Sequence, residues 1–383
     1  MIRSGDKVSK KAILMVFVVI FMLAAVTCQG APKGDILIGV CTGLTGAAPM
    51  DGERTKQGVT LAVEEINKKG GVLGKNLRVT FEDDQATPNG AVNAVNKLCS
   101  ENIVGLIGPH LSGNVMAVQG IVQRAQLPML TGGTSPALLN ANNPWFFRIR
   151  ASDAIVAPIA TKYLIENLKC KKIGMIFDND AFGTGAKNVV ADYLKTINLP
   201  FFAEGYNTGD TDMTGQILKL KDAGVDGLLV WGHDVEDAIV AKQVKQLDLK
   251  GPFIGNPGFA MSHLLDLIGT TNSEGLYTVT DFIANSPEPE IRKYVKNFEK
   301  KYNNIQPELY ATAYYGAVYV LADAIKRAGS TDKEKIRTAL LQTKKLRGVM
   351  CTYTANAKGE MVHEAIVAII KNKVPQKIKV IRN

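Results

Sequence analysis

Hydrophobic residues follow two rhythms along this chain. Short, nearly unbroken apolar runs at 35–41, 77–81, 103–107 and 127–130 suit strands covered on both faces. Between them apolar residues recur at helical spacing. Val59, Ala62, Val63 and Ile66 form a stripe within 52–67, a second helix spans 88–102, and Val115, Val118, Ile121 and Val122 share a face after Ser112. An extended segment at 145–150 closes this series, and Ser152-Asp153 caps a new helix. The alternation then restarts. It predicts strands at 172–177, 201–206, 227–231, 252–255 and 274–279, with helices at 181–197, 213–223 and 235–247. Each strand–helix pair takes about 30 residues, the signature of parallel sheets with crossover helices. Three helices follow at 288–302, 309–328 and 333–342, then strands at 348–353 and 363–371. A helical block this late predicts a return of the chain to the first half.

Two successive strands of the first half end in small polar residues. Gly108 and Pro109 stop one, and Ser112 is placed to cap the helix that follows. The next runs into Thr131-Gly132-Gly133-Thr134-Ser135. The carboxyl edge of an open parallel sheet is where ligands bind. Helix N-termini there offer free N–H groups to an anion, and glycine turns let carbonyls approach a cation.

The 383 residues suffice for two domains, with 46% hydrophobic and 21% charged content typical of globular chains. The first 27 residues read as a signal peptide: Arg3, Lys7, Lys10 and Lys11 precede an apolar run of 15 residues, short for a membrane span. They carry four basic residues and one acid, so the formal charge of +9 falls to +6 without them. No basic block interleaved with aromatics supports nucleic-acid binding. Cys28 directly follows, a candidate for lipid attachment, with cleavage near Gly30 and free release as the alternative. Cys41, Cys99, Cys170 and Cys351 are widely spaced and form no CxxC, so neither a metal site nor a redox motif is supported, and a disulfide is not readable. The spacing of Gly39, Gly43 and Gly46 is wrong for a dinucleotide loop, and neither a Walker sequence nor GxSxG occurs. An enzyme or a resident cofactor is therefore not expected.

The segments GLTGAAPMDGERTKQGVTLAVEEINKKGGVLGKNLRVTFEDDQATP, GPHLSGNV, TGGTSPAL, FFRIRASD, FDNDAFGTG, GLLVWG, NSEGLYTV, YATAYYGAVYVLADAI and RGVMCTYTANAKGE run in order through the chain. Their order and spacing resemble the extracytoplasmic binding proteins of branched-chain amino acid ABC importers. The resemblance implies the type I periplasmic binding fold: two Rossmann-like, doubly wound α/β lobes joined by three crossovers. The lobes would be 34–152 with 284–360, and 153–283 with 361–383. It further implies a monomer in the periplasm or on the outer face of the cytoplasmic membrane. That monomer would capture an amino acid and deliver it to a membrane permease and its ATPase. A ligand-sensing receptor subunit, or a binder of a small carboxylate such as an aromatic acid, is the alternative.

Carried over residue by residue, the resemblance gives Ser112 and the N–H of Gly113 to the ligand α-carboxylate. It gives Gly132, Gly133 and Thr134 to the α-ammonium, with Glu274 as counter-charge. Asp51, Phe182, Trp231 and His233 fall in the side-chain pocket, where Asp51 and His233 are polar guests in a space meant for Leu or Val.

Overall fold

A computed structural model describes residues 34–361 and 364–382 of the chain; the expected signal peptide, Cys28 and His363 lie outside the described residues. The first sheet is built from β1 (Ile36–Thr42), β2 (Leu77–Asp83), β3 (Leu106–Ile107), β4 (Met129–Thr131) and β5 (Phe146–Arg148). All pair in parallel in the order β2-β1-β3-β4-β5. The crossovers are α1 (Pro49–Lys68), α2 (Pro88–Cys99) and α3 (Ser112–Arg124). The expected strand at 103–107 is regular only at Leu106–Ile107, although Val104 N–H already donates to the Leu37 carbonyl.

After α4 (Asp153–Lys162) the second sheet begins. It contains β6 (Ile173–Asp178), β7 (Phe201–Tyr206), β8 (Gly227–Trp231), β9 (Phe253–Gly255) and β10 (Tyr277–Thr280). The helices between them are α5 (Ala181–Thr196), α6 (Thr214–Asp222), α7 (Asp234–Gln246), α8 (Ser262–Ile268) and α9 (Thr270–Ser273). The chain then returns to the first half as α10 (Pro289–Lys301), α11 (Leu309–Ala328) and α12 (Lys333–Leu341), passes a small hairpin of β11 (Leu346–Arg347) and β12 (Thr352–Tyr353), and ends in β13 (Glu364–Lys371) and β14 (Val374–Arg382). The last two strands extend the second sheet antiparallel, in the order β14-β13-β10-β9-β8-β6-β7. The sequence reading missed β14 and gave one strand at 348–353 where a two-stranded turn forms. Asn372 and Lys373, at φ 51° and 59°, make the tight reversal between β13 and β14. Pro375 is tolerated because β14 is an edge strand.

Each sheet is covered on both faces. On one face of the first, Val59, Ala62 and Ile66 of α1 meet Ala311, Val318 and Leu321 of α11. Gly58 permits this approach: a Cβ there would stand 1.9 Å from the Ala311 carbonyl oxygen. On the other face Val95, Leu98, Val115, Val118 and Val122 close the core. Each such side chain, once buried, contributes about 1.5–3 kcal/mol. Among the described residues no helix is long and apolar enough to cross a membrane, and the four described cysteines are free thiols.

The chain passes between the sheets three times: after Arg150, near Asp281, and beyond Met361. An ion pair clamps the first two passages together. Arg150 Nε and Nη2 donate to the two carboxylate oxygens of Asp281, each at 3.1 Å, and the Ala151 N–H adds a third bond. Burial opposes the guanidinium charge, but Asp281 more than restores it. The third passage is tied alongside, where Met361 N–H donates to the Arg148 carbonyl. Removing one partner of a buried pair strands the other charge. Asp281→Ala should therefore lower unfolding free energy by about 3–5 kcal/mol, read from the denaturant midpoint, whereas an exposed helical control such as Asp192→Ala should shift it little.

Candidate functional site

The carboxyl edges of the two sheets face each other across a narrow cleft with a cavity of about 30 Å³. The first half supplies Asp51 from the start of α1, the loop His110–Ser112, Gly132 and Thr134 after β4, Arg150 after β5, and Tyr310 from α11. The second supplies Phe182 from α5, Gly232 to Asp234 after β8, Asn256 to Gly258 after β9, and Met261.

Ser112 is in the wall, but not as the expected cap. Leu111 occupies the cap position and Ser112 is the first helical residue. Its Oγ accepts from the Ser135 N–H at 3.2 Å, which leaves its own proton to donate. Gly113 follows in the first turn, whose N–H groups lack intrahelical acceptors, yet it does not line the cavity. Gly132 does, and its N–H donates to the Tyr314 hydroxyl at 3.1 Å. Gly133 is a packing residue: a Cβ there would meet Leu138 at 2.9 Å and Val115 at 3.0 Å.

Three of the expected assignments need correction. The Thr134 carbonyl is not open to an ammonium group. It already accepts from Asp153 N–H at 2.9 Å, Arg148 Nη1 at 2.6 Å and Ser152 Oγ at 3.4 Å. The Thr134 hydroxyl bonds the buried Asp153, whose pKa burial raises to about 6 against that bond. Glu274 is exposed and accepts from Asn372 N–H. It precedes the amino end of β10, whereas the cleft lies at the carboxyl end, so it is no counter-charge there. Trp231 is fully buried beneath the site, its Nε1 donating to Asp153 at 3.1 Å. It supports the wall without reaching the cavity.

Phe182, His233 and Asp51 do line the cleft. Phe182 lies against the His233 ring at 5.6 Å. His233 Nε2 meets Asp180 Oδ2 at 3.1 Å. Burial works against its charge, but the Asp180 bond outweighs this and raises the pKa to about 9. Asp180 is itself fixed as the cap of α5 by the N–H groups of Phe182 and Gly183. Asp51 is only 6% exposed. Burial first, then the neighbouring Asp234, pushes its carboxyl well above the usual range.

The sequence reading missed the residues that join the halves here. Glu308, just before α11, reaches the second half at three points. Its Oε1 accepts from Ser262 Oγ at 2.5 Å and His263 N–H at 2.9 Å, and its Oε2 meets His263 Nδ1 at 2.9 Å. Arg54 backs it from α1 at 2.8 Å. The other His263 nitrogen meets Asp234 Oδ2 at 2.6 Å. Burial disfavours the imidazolium, yet Asp234 and Glu308 raise the His263 pKa to about 11. Glu308 moves the opposite way: burial raises it, and His263 pulls it well below the carboxylate range. Asp51, Asp234 and His263 place potential metal donors within 4.8 Å of one another. With Glu308 on one of its nitrogens and Asp234 on the other, His263 serves this group as an ion-pair partner. His110 is the contrast: burial, then His233 and Arg150, lower its pKa to about 3, and it sits neutral against Tyr310 at 4.9 Å.

A model described as periplasmic binding protein matches residues 35–374. The chain belongs to that family. A Leu/Ile/Val-binding protein homolog 2 of Brucella abortus is 28% identical over 341 residues, covering 88% of this chain and 91% of the relative. Among solved structures, the leucine binding protein LivK of Thermotoga maritima superposes with a TM-score of 0.85 at 24% identity, covering 91% of this chain and 99% of that one. LivJ of Streptococcus pneumoniae, in complex with isoleucine, gives 0.84 at 23% identity, covering 91% and 100%. The architecture is that of a type I periplasmic binding protein, as the sequence resemblance implied. In this periplasmic binding protein the cleft is bounded by an ion-paired hinge at Arg150–Asp281 and an ion-paired bridge at Glu308–His263.

The bridge has a calculable pH dependence. A histidine whose folded pKa is raised contributes stability fully below its unfolded value, about 6.5, and loses it as pH rises through about 11. Glu308, depressed, contributes fully above about 4.3 and loses this on acidification. The deficit of His263→Gln in unfolding free energy should be on the order of 2 kcal/mol between about pH 5 and 6.5. It should shrink steadily toward about pH 11. Parallel wild-type and variant midpoints across that range provide the check.

Proposed function

We propose that this chain is the solute-binding subunit of an ABC importer. It captures an amino acid between the halves 34–152 with 284–360 and 153–283 with 361–383. These act as hinged lobes, and the closed form docks on a membrane permease served by an ATPase. The signal peptide places the monomer outside the cytoplasmic membrane, either anchored by lipid at Cys28 or released by cleavage near Gly30. No chemical step on the solute is part of this reading.

The observation that carries it is the cleft itself, walled by both halves with opposite charges on its lining. The first turn of α3 and the Ser112 hydroxyl are suited to a carboxylate. Asp51 and Asp234 are suited to a cation. The relatives are named for leucine, isoleucine and valine, and the match spans 88% of the chain. Ligand energy drives closure only by its differential affinity for the closed form, so groups contributed by both halves are what closure requires.

The test is a thermal-shift screen of the twenty amino acids against the mature chain. A true ligand at 100-fold its dissociation constant adds about 2.7 kcal/mol of stability. Ser112→Ala should remove a charge-assisted bond of about 1.5–3 kcal/mol, weakening that ligand by about 10- to 100-fold, and should also lower the unliganded melt because the buried Ser135 N–H loses its acceptor. No response of the wild-type chain to any amino acid contradicts the reading.

A further inference from the structure

The cleft is not lined for an aliphatic side chain. At the end formed by α1, α7 and α8, three carboxylates, Asp51, Asp234 and Glu308, face two cations, His263 and Arg54. Both His263 nitrogens are committed, one to Glu308 at 2.9 Å and one to Asp234 at 2.6 Å. Arg54 is committed to Glu308. Asp51 is left over. Its Oδ1 is buried with no hydrogen-bond partner, and the nearest cationic nitrogen, His263 Nε2, stands 3.7 Å away. Its Oδ2 faces His110 Nε2, also at 3.7 Å, on a ring that lies over Tyr310. A carboxylate shut away from water with one oxygen unused is unfavourable unless something else supplies the partner. Asp51 and Asp234 both border the cavity, one from each half, so a group placed between them would touch both.

Building on the solute-binding reading, we propose that the natural ligand is a basic amino acid, whose ammonium or guanidinium group seats against Asp51 and Asp234. The cation completes the charge balance of the cluster, giving three positive groups for three negative ones. It also touches both halves, so the group that selects the ligand favours the closed form. Burial raises the Asp51 pKa well above its usual range, and a cation seated beside it favours the charged form.

Titration calorimetry on the mature chain tests this with L-arginine, L-lysine and L-leucine. Arginine or lysine should bind at least tenfold more tightly than leucine. Asp51→Asn and Asp234→Asn should each weaken the basic ligand tenfold or more. The unliganded melt of Asp51→Asn should not fall, because the variant removes an uncompensated carboxyl group. Asp234→Asn serves independently should Asp51→Asn not fold. Tighter binding of leucine than of both basic amino acids overturns the inference while leaving the solute-binding reading intact. Full basic-ligand affinity in both variants overturns it too, as does a response to calcium, magnesium or zinc chloride in place of the amino acids. Absence of heat with all three amino acids also overturns it; the twenty-compound screen then decides whether the solute-binding reading falls as well.

Discussion

The bidentate bond between Arg150 and Asp281 is the constraint on which the rest of the molecule depends. It joins two of the three passages between the sheets, and Arg150 is at the same time part of the cleft wall. A hinge made only of extended chain would leave the facing sheet edges free to slide. A buried ion pair at the crossing fixes where they meet, since any displacement separates charges in a low-dielectric environment. The pair also accounts for a positive group at the floor of a cleft otherwise rich in carboxylates.

Opposite the hinge, charge is distributed unevenly. Glu308 and His263 satisfy each other across the gap with Ser262, Arg54 and Asp234 around them, a network in which every member has a partner. Asp51 stands beside that network and is excluded from it. The first arrangement ties the halves together; the second leaves a buried carboxyl oxygen at the cleft without a hydrogen-bond partner. A cleft holding both can rest near closure and still discriminate, because the bridge is indifferent to the solute and Asp51 is not. The proximity of neutral His110 and charged His233 shows how local these effects are: His233 is hydrogen-bonded to Asp180 at 3.1 Å, whereas the carboxylate nearest His110, Asp51, stands 3.7 Å away.

Much of this was legible in the sequence, and the boundary of legibility has physical causes. The alternation of apolar runs and helical stripes revealed both sheets, since a strand covered on two faces and an amphipathic helix leave different periods. The loops after β3 and β4 were found for the same reason: they follow strands. The roles within them were not. Ser112 was read as a cap, yet its hydroxyl turns to Ser135, a choice made by packing between neighbouring loops. Glu274 was assigned to the cleft by the family resemblance, but two residues separate it from the amino end of β10, a strand whose carboxyl end faces the cleft. β14 escaped because Asn372-Lys373 makes its turn without glycine. The Glu308–His263 bridge joins residues 45 apart that lie in different halves, and no local pattern announces such a pair. Asp51, by contrast, was visible as an acid where an aliphatic pocket wants none, and the fold gives that oddity its meaning.

The most direct measurement is a crystal structure of the mature chain grown with saturating L-arginine. The account predicts one molecule between the sheets, its carboxylate at the first turn of α3 near Ser112 and its guanidinium against Asp51 and Asp234, with Glu308 still bonded to His263. Density for the amino acid anywhere outside the cleft, or a closed and empty cleft at saturation, would contradict it.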